Sequence, residues 1–329
     1  MNKFNKKTIK GFSLIELSVV IVIVMVMIAG LLQSSRIIGS MRVNTARNVT
    51  QSSAMPWVNY IVSWQDSTAE DAFKEEETDD GDKISRWNGA EVRYSDRINF
   101  IQNTADNQPM FKANGMFGLP SVLFDGTNDF FESERSEQDV LTYRSASIFG
   151  AFEVTDVNST DKRTIFFNPA DTCGMELEIS HNSDNKSGNL AVSSNSGCGG
   201  TPNATSTPFG FFVNNEKVIL SIIIYSTPTD LGSTANIKFY KNGYLQDSNQ
   251  VGSNSYNSAI INSLKSYSAN YHKFYLGSTK ATENSIPKNF FKGMIGELII
   301  FNRSVNNDDR KEIERYLGRK WGVKVNYGL

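Results

Sequence analysis

Histidine and cysteine are nearly missing, two of each in 329 residues. Cys173, Cys198, His181 and His272 lie too far apart for metal-ligand spacing, and neither histidine has a Ser or Cys nucleophile pattern nearby. No Gly-rich phosphate loop ending in Lys-Ser/Thr occurs; "GCGG" at 197–200 reads as a turn. Charge of one sign is lacking too. With 33 Lys+Arg against 35 Asp+Glu the formal net charge is −2, and nothing argues for nucleic acid as a partner. Proline numbers eight, with none between Phe12 and Ala54, so no proline kinks a helix there.

A long apolar run is present. "KGFSLIELSVVIVIVMVMIAGLL" fills residues 10–32. As a helix, Phe12 to Leu32 measures about 30 Å, enough to cross a hydrocarbon core. Apolar residues occupy every face, and Lys3, Lys6, Lys7 and Lys10 precede the run. Positive charge stays on the cytoplasmic side, which sends the rest of the chain outward. A secretory signal peptide would place a small-residue cleavage site after the run, and Ala29-Gly30 or Ser34-Ser35 serves that poorly. Neither a signal peptide nor a plain anchor accounts for Glu16. A lone carboxylate in hydrocarbon costs roughly 2.5–3.5 kcal/mol even on lenient scales.

Gly11-Phe12-Ser13-Leu14-Ile15-Glu16, between a basic leader and an apolar run, resembles the class III signal of type IV pilins and type II secretion pseudopilins. The resemblance covers the N-terminal helix only. It implies a leader at residues 1–11, cut by a prepilin peptidase after Gly11, and methylation of the new Phe12 amine. It implies a helix over 12–54, membrane-spanning at 12–32, through which pilin or pseudopilin subunits assemble. Glu16 of one subunit then pairs with the Phe12 amine of its neighbour, so that neither charge is buried alone. The chain is expected in the inner membrane as a single pass, leader cytoplasmic and C-terminal domain periplasmic. After assembly it reaches a pilus or the cell surface.

Beyond the apolar run, Ile37, Ile38, Met41, Thr45 and Val49 trace an amphipathic stripe, and Pro56 marks a stop. From there the pattern is of short strands: "SVLFDG", "SIFGAFEV", "RTIFFN", "KVILSIIIYS", "NIKFYKNGYL", "KFYLGS" and "GMIGELIIFN". Asn242-Gly243 is a strong hairpin signal. "GMELEIS" and "NLAVSS" read as a hairpin with Cys173 and Cys198 at its open end, and both lie where disulfides form. Such a bridge is worth about 3.5 kcal/mol, and two free thiols are the alternative. "SVNNDDRKEIERYLGRKWGV" predicts a closing helix, capped by Asn306 or Asn307, with Ile313, Tyr316, Leu317 and Trp321 inward. The fold class is α+β: a long N-terminal transmembrane helix, then a mainly antiparallel β-sandwich over 55–329 with a short C-terminal helix.

Residues 79–89, 108–132 and 293–323 resemble the bacterial laminin-G-like, or concanavalin A-like, jelly roll. The resemblance implies two packed antiparallel sheets that bind a glycan or a surface protein, commonly with Ca²⁺. Asp79, Asp80 and Asp82 form one oxygen-rich group and Asp125, Asn128 and Asp129 another, the latter also readable as a turn. No other cofactor is expected. Some relatives of the jelly roll are glycosidases, and Glu176 and Glu178 share a strand face, yet Ser180 and His181 stand where a third acid belongs. Trp57, Trp64 and Trp87 read as core. No catalytic residue is assigned, and the chain is not expected to be an enzyme. The favoured expectation is a type IV filament subunit displaying an adhesive domain. A type II secretion pseudopilin is the alternative, and a membrane-tethered glycan hydrolase the third reading.

Overall fold

A computed structural model describes residues 13–55, 58–90, 98–134, 145–155, 161–168, 175–181, 188–194, 203–207, 210–229, 232–246, 249–251, 273–280 and 285–327. One helix, α1 (Leu14–Ser52), opens the described chain and runs without a break. The chain forms two compact units, Met1–Arg42 and Val43–Leu329. The second begins inside α1.

In the first unit the apolar side chains of α1 have no cover. Leu14 is 85 % exposed and Val26 67 %, and the other Leu, Ile, Val and Met side chains up to Ile28 are similarly open. Among the described residues no helix is long and apolar enough to cross a membrane. The span expected at 12–32 includes Phe12 and the side chains of residues 31 and 32, which lie outside the described residues.

The second unit takes the last turns of α1 and a set of strands: β1 (Ile61–Asp66), β2 (Arg86–Trp87), β3 (Phe100–Ile101), β4 (Met110–Lys112), β5 (Ser121–Asp125), β6 (Phe131–Ser133), β7 (Ala146–Val154), β8 (Arg163–Asn168) and β9 (Met175–His181). There follow β10 (Gly188–Ser194), β11 (Asn203–Ser206), β12 (Glu216–Thr229), β13 (Gly232–Lys241), β14 (Tyr244–Gln246), β15 (Asn249–Val251), β16 (Tyr275–Leu276) and β17 (Lys292–Phe301). Helix α2 (Asn307–Trp321) closes the unit. One sheet has the order β14-β13-β12-β7-β17-β5-β4, with β1 also on β17; the other runs β15-β11-β10-β9-β8-β16-β6-β3-β2. All the strand pairs are antiparallel, as the run of short strands predicts.

Alternation along the central strands assigns each residue to a layer. Ile148 and Phe152 of β7 join Val218 and Leu220 of β12 in the core between the sheets, with Trp87, Phe100 and Phe131 from the other sheet. Phe149 and Ala151 point the other way, into a second core with Ile219, Ile299, Leu317 and Trp321. That outer core is roofed by α2 and the tail of α1, which is why β7 is buried along its whole length. Trp64 and Trp87 are buried as expected; Trp57 lies outside the described residues.

The α1 tail differs from its expected stripe. Ile37, Ile38 and Met41 are half or more exposed, while Ala46 is 3 % exposed and Val43 and Val49 pack against the outer core. Small Ala46, not a large aliphatic, faces the sheet, which lets the helix backbone approach closely. At the hairpin of β13 and β14, Asn242 and Gly243 both take positive φ, 52° and 87°, the demand of a type I′ turn. Helix α2 starts at Asn306, whose side chain accepts from the Asp309 N–H at 2.8 Å, and ends at Gly322 with φ 65°.

Candidate functional site

The N-terminal end of α1 is organised by Ser13 and Glu16. The Ser13 N–H donates to Glu16 Oε2 at 2.9 Å, and the Ile15 N–H donates to Ser13 Oγ at 3.3 Å. This is a capping box, Ser-x-x-Glu, and it satisfies donors that the first helical turn leaves open. Ser13 and Glu16 stand at capping-box spacing in the sequence. Gly11 and Phe12 lie outside the described residues.

At the other end of α1, a buried polar network ties the helix to the sandwich. Glu297 of β17 is fully buried. Its Oε1 accepts from Trp64 Nε1 at 2.8 Å and Tyr316 OH at 2.6 Å; its Oε2 accepts from Trp321 Nε1 at 2.9 Å. Lys320 Nζ lies 2.8 Å from Glu297 Oε2 and donates to Asp66 Oδ2 at 2.6 Å. The other oxygen of Asp66 accepts from the Thr68 N–H and hydroxyl. Two links reach α1: Arg47 Nε donates to the Thr68 carbonyl at 2.7 Å, and Thr50 Oγ1 meets Tyr316 OH at 3.1 Å.

Burial pushes the Glu297 carboxyl up, against the pull of Lys320. For Lys320, burial works downward, but Asp66 and Glu297 together hold the amine above its usual value and keep it charged. Burial, then the Glu297 and Asp66 charges, raises Tyr316 well above the ordinary phenol, so it stays a donor. Trp321 reaches this network because residue 296 is glycine: a Cβ there would sit 2.4 Å from its ring. Every group is hydrogen-bonded, and Glu297, Asp66 and Lys320 at its centre are buried, which suits anchoring of the helix.

Most of the side chains read as calcium candidates are engaged within the protein. Asp82 Oδ2 accepts from the Asp79 N–H, and Asp80 accepts from the Ala113 N–H and lies 3.4 Å from Lys112 Nζ. Asp125 Oδ1 accepts from the Thr127 and Asn128 N–H groups, with Gly126 at φ 79°, while Asn128 Nδ2 donates to the Asp106 carbonyl. Asp129 Oδ2 accepts from the Asp125 N–H, and Lys83 stands 3.6 Å from Oδ1. Among the described residues no three His, Cys, Asp or Glu side chains converge as a metal site.

Glu176 and Glu178 do share a face of β9, and both are buried. Glu176 takes the hydroxyls of Thr164 and Thr279, and Glu178 pairs with Lys162 at 2.9 Å. β9 and β10 pair out to Met175 and Ser194; Cys173 and Cys198 lie outside the described residues.

Residues 6–32 match the prokaryotic N-terminal methylation motif. No curated protein matches the chain. Among solved structures, the binding domain of botulinum neurotoxin serotype D/C is 11 % identical with a TM-score of 0.44, over 79 % of this chain and 52 % of its own, so the chain spans about half its length. The NanB sialidase from Streptococcus pneumoniae is 16 % identical with a TM-score of 0.39, over 58 % of this chain and 26 % of its own. The Ruminococcus gnavus IT-sialidase CBM40, bound to alpha2,3 sialyllactose, is 13 % identical with a TM-score of 0.35, over 52 % of this chain and 82 % of its own. TM-scores below 0.5 give these likenesses no bearing on what this chain does. The N-terminus, by contrast, carries at residues 6–32 the methylation motif on which its likeness to type IV pilins and pseudopilins stands.

Proposed function

We propose that the chain is the precursor of a type IV pilin-like filament subunit, cut after Gly11, methylated on Phe12, and assembled through α1. The observation that carries this reading is the methylation motif at residues 6–32 on a helix whose apolar side chains, Leu14 to Ile28, have no cover in their own unit. Before assembly the bilayer covers them; afterwards the helices of other copies do. Cleavage frees a cationic amine four residues before Glu16. Glu16 caps its own helix through Oε2, and Oε1, which no described residue bonds, serves the Phe12 amine of a neighbouring copy.

The β-sandwich unit is displayed outward as the binding or adhesive part. A Cys173–Cys198 disulfide locks the β9–β10 hairpin beyond its last pair, Met175 with Ser194. Immunogold labelling of intact cells with antibody to the sandwich tests the reading. Label along or at the tips of surface filaments is expected. Label confined to the envelope, with exoenzyme secretion lost on deletion, would instead assign the chain to a secretion pseudopilus.

A further inference from the structure

Two grooves flank the α1 tail. One, about 610 Å³, has Val49 and Ile313 in its lining together with Tyr60, Arg303, Arg315 and Arg319. The other, about 490 Å³, is lined by Val43, Arg47, Glu70, Phe73, Glu75 and Phe111. Val43 and Arg47, four apart, share one flank of the helix; Val49, Ser52 and Ser53 turn to the other. The two flanks carry opposite charge.

On the first flank Arg303 is paired with Asp309 at 3.0 Å. Arg315 and Arg319 are exposed on α2 and outnumber Glu312, the remaining acid of that groove. Arg315 lies near the Tyr327 ring, and among the described residues Arg319 has no hydrogen bond or ion pair. On the second flank, residues 70–82 hold one base, Lys74, against eight acids. Glu77 is engaged by Lys74 and Ser85, and Asp80 by Lys112. The exposed carboxylates of Glu70, Glu75 and Glu76 have no hydrogen bond or ion pair among the described residues.

We propose that the arginine-lined groove between α1 and α2 docks the acidic segment 70–82 of a second copy of this chain. The inference rests on the filament reading. Copies that cover the apolar half of α1 with one another stand side by side along that helix, so the basic flank of one meets the acidic flank of the next. Such a contact is heterologous: each copy offers a groove and a segment, and a repeat that does not close extends as a filament. The charges sit at an exposed rim, so the contact sets register and partner choice, and salt weakens it.

The test uses the full-length mature chain in detergent, followed by sedimentation velocity at low and high salt. One preparation carries Arg315→Glu with Arg319→Glu, another Glu70→Lys with Glu75→Lys and Glu76→Lys, which reverses the three carboxylates left free in the segment. Each alone should associate at least about tenfold more weakly than the wild type, because like charges then face each other. Their equimolar mixture should regain wild-type association, since each groove again meets an opposite segment; that recovery also shows both variants folded. The milder Arg315→Gln with Arg319→Gln should lose less and flatten the salt dependence. Wild-type-like association of each charge-reversed chain alone, or a mixture no stronger than its parts, overturns the docking while leaving the filament reading in place. A wild-type chain that never associates at low salt overturns the docking as well, while the filament reading is judged separately by the N-terminus of the mature chain.

Discussion

The two ends of α1 invert the usual relation between hydrophobicity and burial. Near its start, Leu, Ile, Val and Met side chains stand mostly exposed; near its end, Ala46 is 3 % exposed and Thr50 and Arg47 are tied into the sandwich. Burial here follows the partner on offer. The tail has a sheet face, a neighbouring helix and a polar network prepared for it. The start has none within its own unit, so the apolar free energy it carries goes unused there.

Four changes should separate the two regions, from the strongest effect down. Glu297→Ala removes the acceptor shared by two indoles, Tyr316 and Lys320, and leaves buried donors unpaired. It should lower the unfolding free energy of the full chain in urea by about 3–5 kcal/mol and loosen the α1 tail. Asp129 comes next: burial raises its carboxyl from 3.8 to about 6, opposed by the hydrogen bond from the Asp125 N–H. A raised acid means the folded chain holds the proton more tightly. Stability should therefore fall as pH rises from about 4 through about 6, by about 2–3 kcal/mol, and level off above. Asp129→Asn should remove that slope, seen by urea unfolding at pH 4 and pH 7.

Gly296→Ala places a Cβ against the Trp321 ring and should cost about 1–3 kcal/mol. Smallest of all, Val20→Thr with Val24→Thr changes side chains that nothing in their unit covers. Unfolding of the sandwich should stay within about 0.5 kcal/mol of wild type, while filament formation falls. A large loss of stability there would mean that these side chains are packed within the folded chain.

Much of this was legible in the sequence. The short apolar runs fall on β5, β7, β8, β12, β13, β16 and β17, Asn242-Gly243 turned as its residue types require, and Asn306 capped α2. The turn role of Asp125 with Gly126 was readable as well. Less legible was anything set by contacts far apart in the chain. Glu297, Lys320 and Asp66 look like solvated charges until β1, β17 and α2 come together. The helix tail misled because its large aliphatics suggest the buried stripe, whereas close packing on a sheet selects Ala46. The capping role of Glu16 is local, set by the Ser13-x-x-Glu16 spacing alone.

Assembly of the apolar start of α1, as proposed, begins with a cut after Gly11. Mass spectrometry of the N-terminal peptide of the chain, isolated from its own cells, tests this most directly. A mature chain that starts at N-methylated Phe12 is expected. A chain that keeps Met1, or is cut after the apolar run, would contradict it.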